Sequence, residues 1–138
     1  MRSVSFTVPG DPQGKQRPRF SNRSGHAYTP QRTTEYEDKV RLYYSRETRC
    51  TPLHGEIRAD ILAYFRIPKS LPKYKQQILA EERTGCLKAP DADNIGKIIL
   101  DSLQGLAFEN DKNVTYLTVG KLYGATPRVE VTLTEVEG

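Results

Sequence analysis

The 138-residue chain has no tryptophan, one methionine, two cysteines and two histidines. Each shortage removes a class of protein. Cys50 and Cys86 stand apart, with no CxxC spacing and no histidine cluster, so neither a zinc site nor a dithiol redox motif is encoded. Two unpaired thiols suit a reducing compartment, and the expectation is a cytoplasmic protein. His26 and His54 have no second ligand one helical turn away, so a bound metal would be held by oxygen atoms. That favours Mg²⁺, Mn²⁺ or Ca²⁺ over zinc or copper. Long apolar runs are also missing. The longest candidate, residues 61–65, falls far short of the ~20 apolar residues of a membrane span, so no membrane partner is expected. The opening MRSVSFTVPG has no apolar stretch or cleavage site of a secretory signal. GxSxG and HExxH do not occur. GDPQGKQ at 10–16 is one residue too short for a phosphate-binding loop, and DADNIG at 91–96 lacks the closing Glu of an EF-hand.

What the chain does have is charge, unevenly placed. Lys+Arg 21 against Asp+Glu 17 gives a net +4. Residues 1–90 hold 17 basic and 9 acidic side chains, whereas 91–138 hold 4 and 8. A basic body with a concentrated acidic segment points to a polyanionic partner met by a cation-binding site. The length suits one domain covering 1–138, with no linker or internal repeat.

Val4, Phe6 and Val8 alternate with polar neighbours, as in a half-buried strand that PGDP at 9–12 stops. Thr29 as N-cap and Pro30 as first helical residue open a helix to about residue 46, with Tyr36, Val40, Tyr43 and Tyr44 as its apolar stripe. Ile57, Ala59, Ile61, Ala63 and Phe65 line one face of a second strand. Ser70 can cap a helix through Glu82, with Leu71, Tyr74, Ile78 and Leu79 inward and Gly85 as its stop. A third helix at 93–104 buries Ile95, Ile98, Ile99 and Leu103. Strands at 114–122 and 129–133 close the chain, with GATP between them as a hairpin loop. The order β-α-β-α-α-β-β predicts an α/β single domain with a mixed β-sheet flanked by helices, its last two strands paired antiparallel.

Residues 90–114 read PDADNIGKIILDSLQGLAFENDKNV. Asp91 and Asp93 fall at a junction that Pro90 keeps extended, where i and i+2 point to the same side. Two converging carboxylates repel, and a divalent cation between them removes the conflict. Asp93 also suits the N-cap. Lys97 and Asp101 follow it at one-turn intervals on one helix face. Asp111 comes from the turn before the next strand, where the sheet can return it to the same end of the helix. Singly, these residues read as a cap, a solvated ladder worth ~0.3–0.5 kcal/mol per pair, and a turn residue. Together they are the parts of a metal-dependent phosphodiesterase: carboxylates hold the cation, which acidifies a bound water and offsets charge growing on the phosphate.

The same segment resembles the signature of RusA-type Holliday junction resolvases, small endonucleases often carried by prophages. Their pattern is acid–x–acid–Asn, a lysine four residues after the second acid, Asp-x-Leu a turn later, then two acids before the next strand. Asp91, Asp93, Asn94, Lys97, Asp101 and Leu103 fall into it. Asp111 keeps the second place of the terminal acidic pair, whose first place is Asn110, with Glu109 beside it. GDPQGKQRPRF at 10–20 and AYTP at 27–30 are also similar to the family. The resemblance implies a RusA-like fold and a Mg²⁺-dependent homodimer, with Mn²⁺ as a substitute, that binds four-way DNA junctions and nicks two strands symmetrically in recombination and repair. It implies Asp91, Asp93 and Asp111 as metal ligands and catalytic residues. Lys97 would orient the water or steady the phosphate, and Asp101 would stand behind Lys97.

Two coordinated cuts need two sites, and two-fold symmetry supplies the second. Tyr36, Tyr43 and Tyr44, or Leu62 and Tyr64, are the candidate interface residues. Residues 10–32 carry Lys15, Arg17, Arg19, Arg23 and Arg32 against Asp11 alone, and are the expected phosphate contact. Lys69, Lys73 and Lys75 form a second basic cluster. Such contacts position DNA without reading bases, so selectivity would come from the shape of the junction. The alternatives are a nuclease for flaps, forks or other branched DNA, and a non-catalytic DNA-binding protein.

Overall fold

A computed structural model describes residues 2–15, 19–20, 25, 27–28 and 30–136. β1 (Ser3–Pro9) follows the expected alternation, with Phe6 and Val8 buried. β2 (Arg19–Phe20) and β3 (Ala27–Tyr28) form a small antiparallel ladder that periodicity had not indicated. α1 spans Gln31–Thr48, one residue later than its sequence signals suggest. Pro30 sits at the N-cap position with no side-chain cap, while Thr29 lies outside the described residues. Proline suits a helix start because its missing N–H has no intrahelical partner there. Tyr36, Val40 and Tyr44 are buried along the stripe. The helix stops where Arg49 and Cys50 turn left-handed, at φ 57° and 56°.

β4 (Ile57–Arg66) carries the clearest alternation in the chain and is one of the two inner strands of the sheet. The order is β1-β6-β4-β5, with β5 spanning Val114–Gly124 and β6 spanning Arg128–Glu135. β4 runs parallel to β5 and antiparallel to β6, and β6 runs antiparallel to β1. The mixed sheet is as expected. The terminal hairpin is not: β5 and β6 run in opposite directions but lie on either side of β4. Residues 125–127 step across the end of β4 to reach its far side. Ile57, Ala59, Ile61, Ala63, Tyr64 and Phe65 are all buried, and a strand so apolar needs a neighbour on both edges.

α1 packs on β1, α3 (Ala92–Leu103) packs on β5, and the two helices pack on each other. They cover one face of the sheet. Ile95, Ile98, Ile99 and Leu103 are fully buried, as their spacing requires. Gly96 lets α3 lie close, since a Cβ there would meet Val119 and Leu117 at 3.2 and 3.3 Å. The opposite face of the sheet is mainly polar, with Leu62, Tyr64, Tyr116 and Leu122 as its apolar members. Ser3 pairs with Thr134 and Ser5 with Thr132, and Asp60 accepts from Arg58 and Thr118.

α2 (Lys73–Leu79) departs most from expectation. It is seven residues long, begins after Pro72 instead of Ser70, and buries no side chain. Tyr74 is 62% exposed and Ile78 52%. With α1 and α3 already covering the apolar face, α2 has no layer to dock against. The chain leaves the helix through Glu82 at φ 61°, and Gly85 bridges to Leu122 in place of ending a helix. Of the five proposed interface residues, Tyr36, Tyr44 and Tyr64 are buried and Tyr43 packs against the core. Only Leu62 stands out, at 40% exposure.

Candidate active site

The acid-rich segment begins at the N-terminal end of α3. Asp91 is the N-cap, extended at φ −75° and ψ 166°, and its Oδ1 accepts from the Asn94 amide at 3.0 Å. Asp93 is therefore not the cap. It already lies in the first helical turn, so the strand alternation expected to point both acids to one side does not extend to it. Both are exposed. A helix N-terminus favours carboxylates through its partial positive charge, which offsets part of their mutual repulsion. Asp93 makes no ion pair or hydrogen bond with another described side chain, and neither does Lys97, exposed one turn further on.

Asp101 behaves differently. Its partner is Lys15, at 3.3 Å, and the same ammonium reaches Glu37 on α1 at 2.8 Å. The expected Asp101–Lys97 pair is not formed, because the loop after β1 delivers a lysine to that face first. Burial pulls the Lys15 pKa down, but Glu37 and Asp101 more than compensate and hold it above the usual lysine value. The Lys15 amide also donates to the Asn94 carbonyl at 3.2 Å. Gly14 allows this contact, since a Cβ there would stand 2.7 Å from Pro90 and 3.0 Å from Asn94. Lys15, expected to contact DNA, also acts as a strut joining the loop, α1 and α3.

Asp111 does not join Asp91 and Asp93 within one chain. It opens a 3₁₀ turn, Asp111–Asn113, that leads directly into β5. Leu53 donates to the Ala107 carbonyl, which places the segment after α3 beside the start of β4. The start of α3 is tied to the other end of β5, where Lys121 Nζ donates to the Lys88 carbonyl at 2.5 Å. Seven residues of strand between those levels amount to about 23 Å. Among the described residues, no three His, Cys, Asp or Glu side chains form a group able to hold a metal. Oxygen ligands of the right chemistry are present, but a single chain does not complete the set. Asn110 has a local role: its side chain accepts from the Lys112 amide, and Asn113 accepts from the Asn110 amide, closing a capping box.

Pro90 and Asn94, the chain neighbours of Asp91 and Asp93, border a cleft of about 580 Å³ whose walls also include Lys15, Arg32, Arg66 and Lys88; the two acids themselves are not in its wall. A second cleft, of about 550 Å³, is lined by Lys69, Lys73 and again Arg66. Lys75 is exposed on α2 and borders neither. Arg17 and Arg23 lie outside the described residues, and Arg19 opens β2. Arg66 and Lys88 were not singled out by sequence reasoning. Their only sequence signal is position, at the end of a buried strand and just ahead of the acidic segment.

An α/β domain with exposed acids at a helix start and cationic clefts nearby has the charge pattern expected of a protein that meets polyanions. The particular family follows from comparison. The family model for endodeoxyribonuclease RusA matches residues 9–134, and the chain belongs to that family of endodeoxyribonucleases. It is also 35% identical over 141 residues to Uncharacterized protein YqaN of Bacillus subtilis (strain 168), with 99% of each chain covered. No helix among the described residues is long and apolar enough to cross a membrane.

Proposed function

We propose that the protein is a Mg²⁺-dependent, structure-selective endonuclease that resolves four-way DNA junctions as a homodimer, in the cytoplasm, during recombination and repair. The observation that carries this reading is the pair of exposed carboxylates, Asp91 and Asp93, at the start of α3 beside a cationic cleft. Acids without cationic partners are available to a hard divalent cation. Bound there, such a cation lowers the pKa of a water and offsets charge on the scissile phosphate. The chain's own residues do the rest. Asp91 and Asp93 hold the cation, with the Asp91 cap fixing one carboxylate in place. Lys97 stands one turn along, where its ammonium can meet the phosphate. The Lys15 strut keeps the basic loop against α3.

Asp111 completes the ligand set from a second copy. β5 is an edge strand whose end is bridged by Gly85 at Leu122, while residues 114–120 carry no outer ladder among the described residues and Tyr116 and Leu117 are exposed at 59% and 46%; such an edge invites pairing. Antiparallel pairing of residues 114–120 with the same segment of a two-fold mate sets the start of each strand beside the level of residue 120 in the other. That brings Asp111 toward the mate's α3 start, and the dimer then carries two sites.

The function is tested on a synthetic four-way junction labelled on each strand in turn, with flap and fork substrates at matched salt. Symmetric nicks on opposite strands, dependent on Mg²⁺ and supported by Mn²⁺, are expected. Equal or faster cutting of flaps would move the assignment to another branched substrate, and no nicking of any substrate would remove it. The shared site is tested by mixing two inactive variants, Asp93→Asn and Asp111→Asn. Mixed dimers regain one intact site, so roughly a quarter of the sites should recover. No recovery would remove the second copy's Asp111 from the ligand set.

A further inference from the structure

Arg66 ends β4 and belongs to the walls of both clefts, which makes it the saddle between them. On one side lie Arg32 and Lys88, next to Asn94 and the acids of α3; on the other lie Lys69 and Lys73. These cations come from three elements and the segments between them, and meet only in the folded chain. Among the described residues lining the two clefts, Asp11 is the one acid. Its carboxylate faces the Arg66 guanidinium at 3.4 and 3.5 Å, the long limit of a hydrogen bond. Both side chains are more than half exposed, at 53% and 64%. A pair this open and this loose is weak, and a phosphate can replace the carboxylate with shorter, bidentate contacts.

We propose that Arg66 is a phosphate-positioning residue on the path of the DNA strand leaving the acids of α3, and that Asp11 competes with DNA for it. The proposal rests on the nuclease reading and adds a route and a brake to it. The strand runs from the start of α3 through the first cleft, places a phosphate on Arg66, and continues into the second cleft past Lys69 and Lys73. With Asp11 on Arg66, an isolated phosphate gains little. A backbone that bends through both clefts gathers the remaining cations as well, and then displaces the carboxylate. Asp11 therefore lowers affinity for straight duplex more than for a branched strand.

The test is fluorescence anisotropy across a salt series, with a four-way junction and a matched duplex, in Ca²⁺ so that binding is read without cutting. The proteins are wild type, Arg66→Gln, Asp11→Asn and the double variant. Losing one phosphate contact should make the salt slope shallower by about 0.9 and weaken junction binding about fivefold near 0.15 M salt in Arg66→Gln. Asp11→Asn should tighten duplex binding severalfold in the wild-type background and have no effect in the Arg66→Gln background. A slope unchanged by Arg66→Gln overturns the proposal, as does equal tightening by Asp11→Asn in both backgrounds, which would mark a general charge effect. Wild-type protein that binds neither DNA would overturn the nuclease reading and this proposal with it. Both side chains are exposed, and matching thermal midpoints across the four proteins would show that folding is not what changed.

Discussion

Asp93 and Asp101 lie on one helix, about two turns apart, and have opposite surroundings. Asp101 is locked to Lys15, which is itself locked to Glu37, and the cluster is mostly shielded from solvent. Asp93 is exposed and forms no ion pair among the described residues. Formal charge does not distinguish them. What does is whether the fold has already supplied a counter-ion: an acid with a resident lysine holds elements together, and an acid without one is free to take a cation from solution.

The sharpest way to break that contrast is to neutralise each end. Asp93→Asn should lower junction cleavage at least about 100-fold, with junction binding and the thermal midpoint unchanged. Asp91→Asn should do the same, because asparagine caps a helix as well as aspartate does, whereas Asp91→Ala should also lose about 1 kcal/mol of stability. Full cleavage by Asp91→Asn would reduce Asp91 to a cap. Neutralising the paired end should reverse the pattern. Asp101→Asn and Lys15→Met should each cost about 1 kcal/mol in urea unfolding and change cleavage only a few-fold. A hundredfold cleavage loss at unchanged stability in Asp101→Asn would erase the distinction.

The smallest expected effect is in acid. Hydrogen bonds from Arg128 hold the Glu82 carboxyl below its ordinary pKa, and Thr118, ahead of Arg58, does the same for Asp60. A carboxyl depressed in the folded state adds stability above its unfolded pKa and loses that contribution as pH falls through the folded value. Urea midpoints should therefore decline as pH drops below about 4.5, and the decline should be shallower in Arg128→Met. On the basic side Lys15, raised in the folded protein, adds stability that persists below its ordinary pKa and fades as pH rises through the folded value. Lys15→Met should flatten that alkaline limb.

The elements whose pattern is local were legible in advance. The period-two run of β4 and the Ile95, Ile98, Ile99 and Leu103 face of α3 specify their own buried sides, because side-chain direction follows from backbone geometry within a few residues. The acidic motif was legible for the same reason, since its spacing places Asp91 and Asp93 at one helix end. Failures arose where a residue's partner is distant in the chain. α2 carries apolar residues at helical spacing, yet Tyr74 and Ile78 remain in solvent because α1 and α3 already cover the more apolar face of the sheet. The loop after β5 reads like a hairpin, yet β6 pairs with β4 and β1.

The sequence by itself determined which residues can be acid, base or core, through periods and spacings that act over one or two turns. Only the tertiary structure decided which of those acids is already paired. Lys15 reaches Asp101 from the loop after β1, and Arg66 joins Arg32 and Lys88 from separate elements. Asp111 was sent to the opposite end of β5 from Asp91 and Asp93. Charge pairing depends on distance in space, and distance in space between residues far apart in sequence is set by packing.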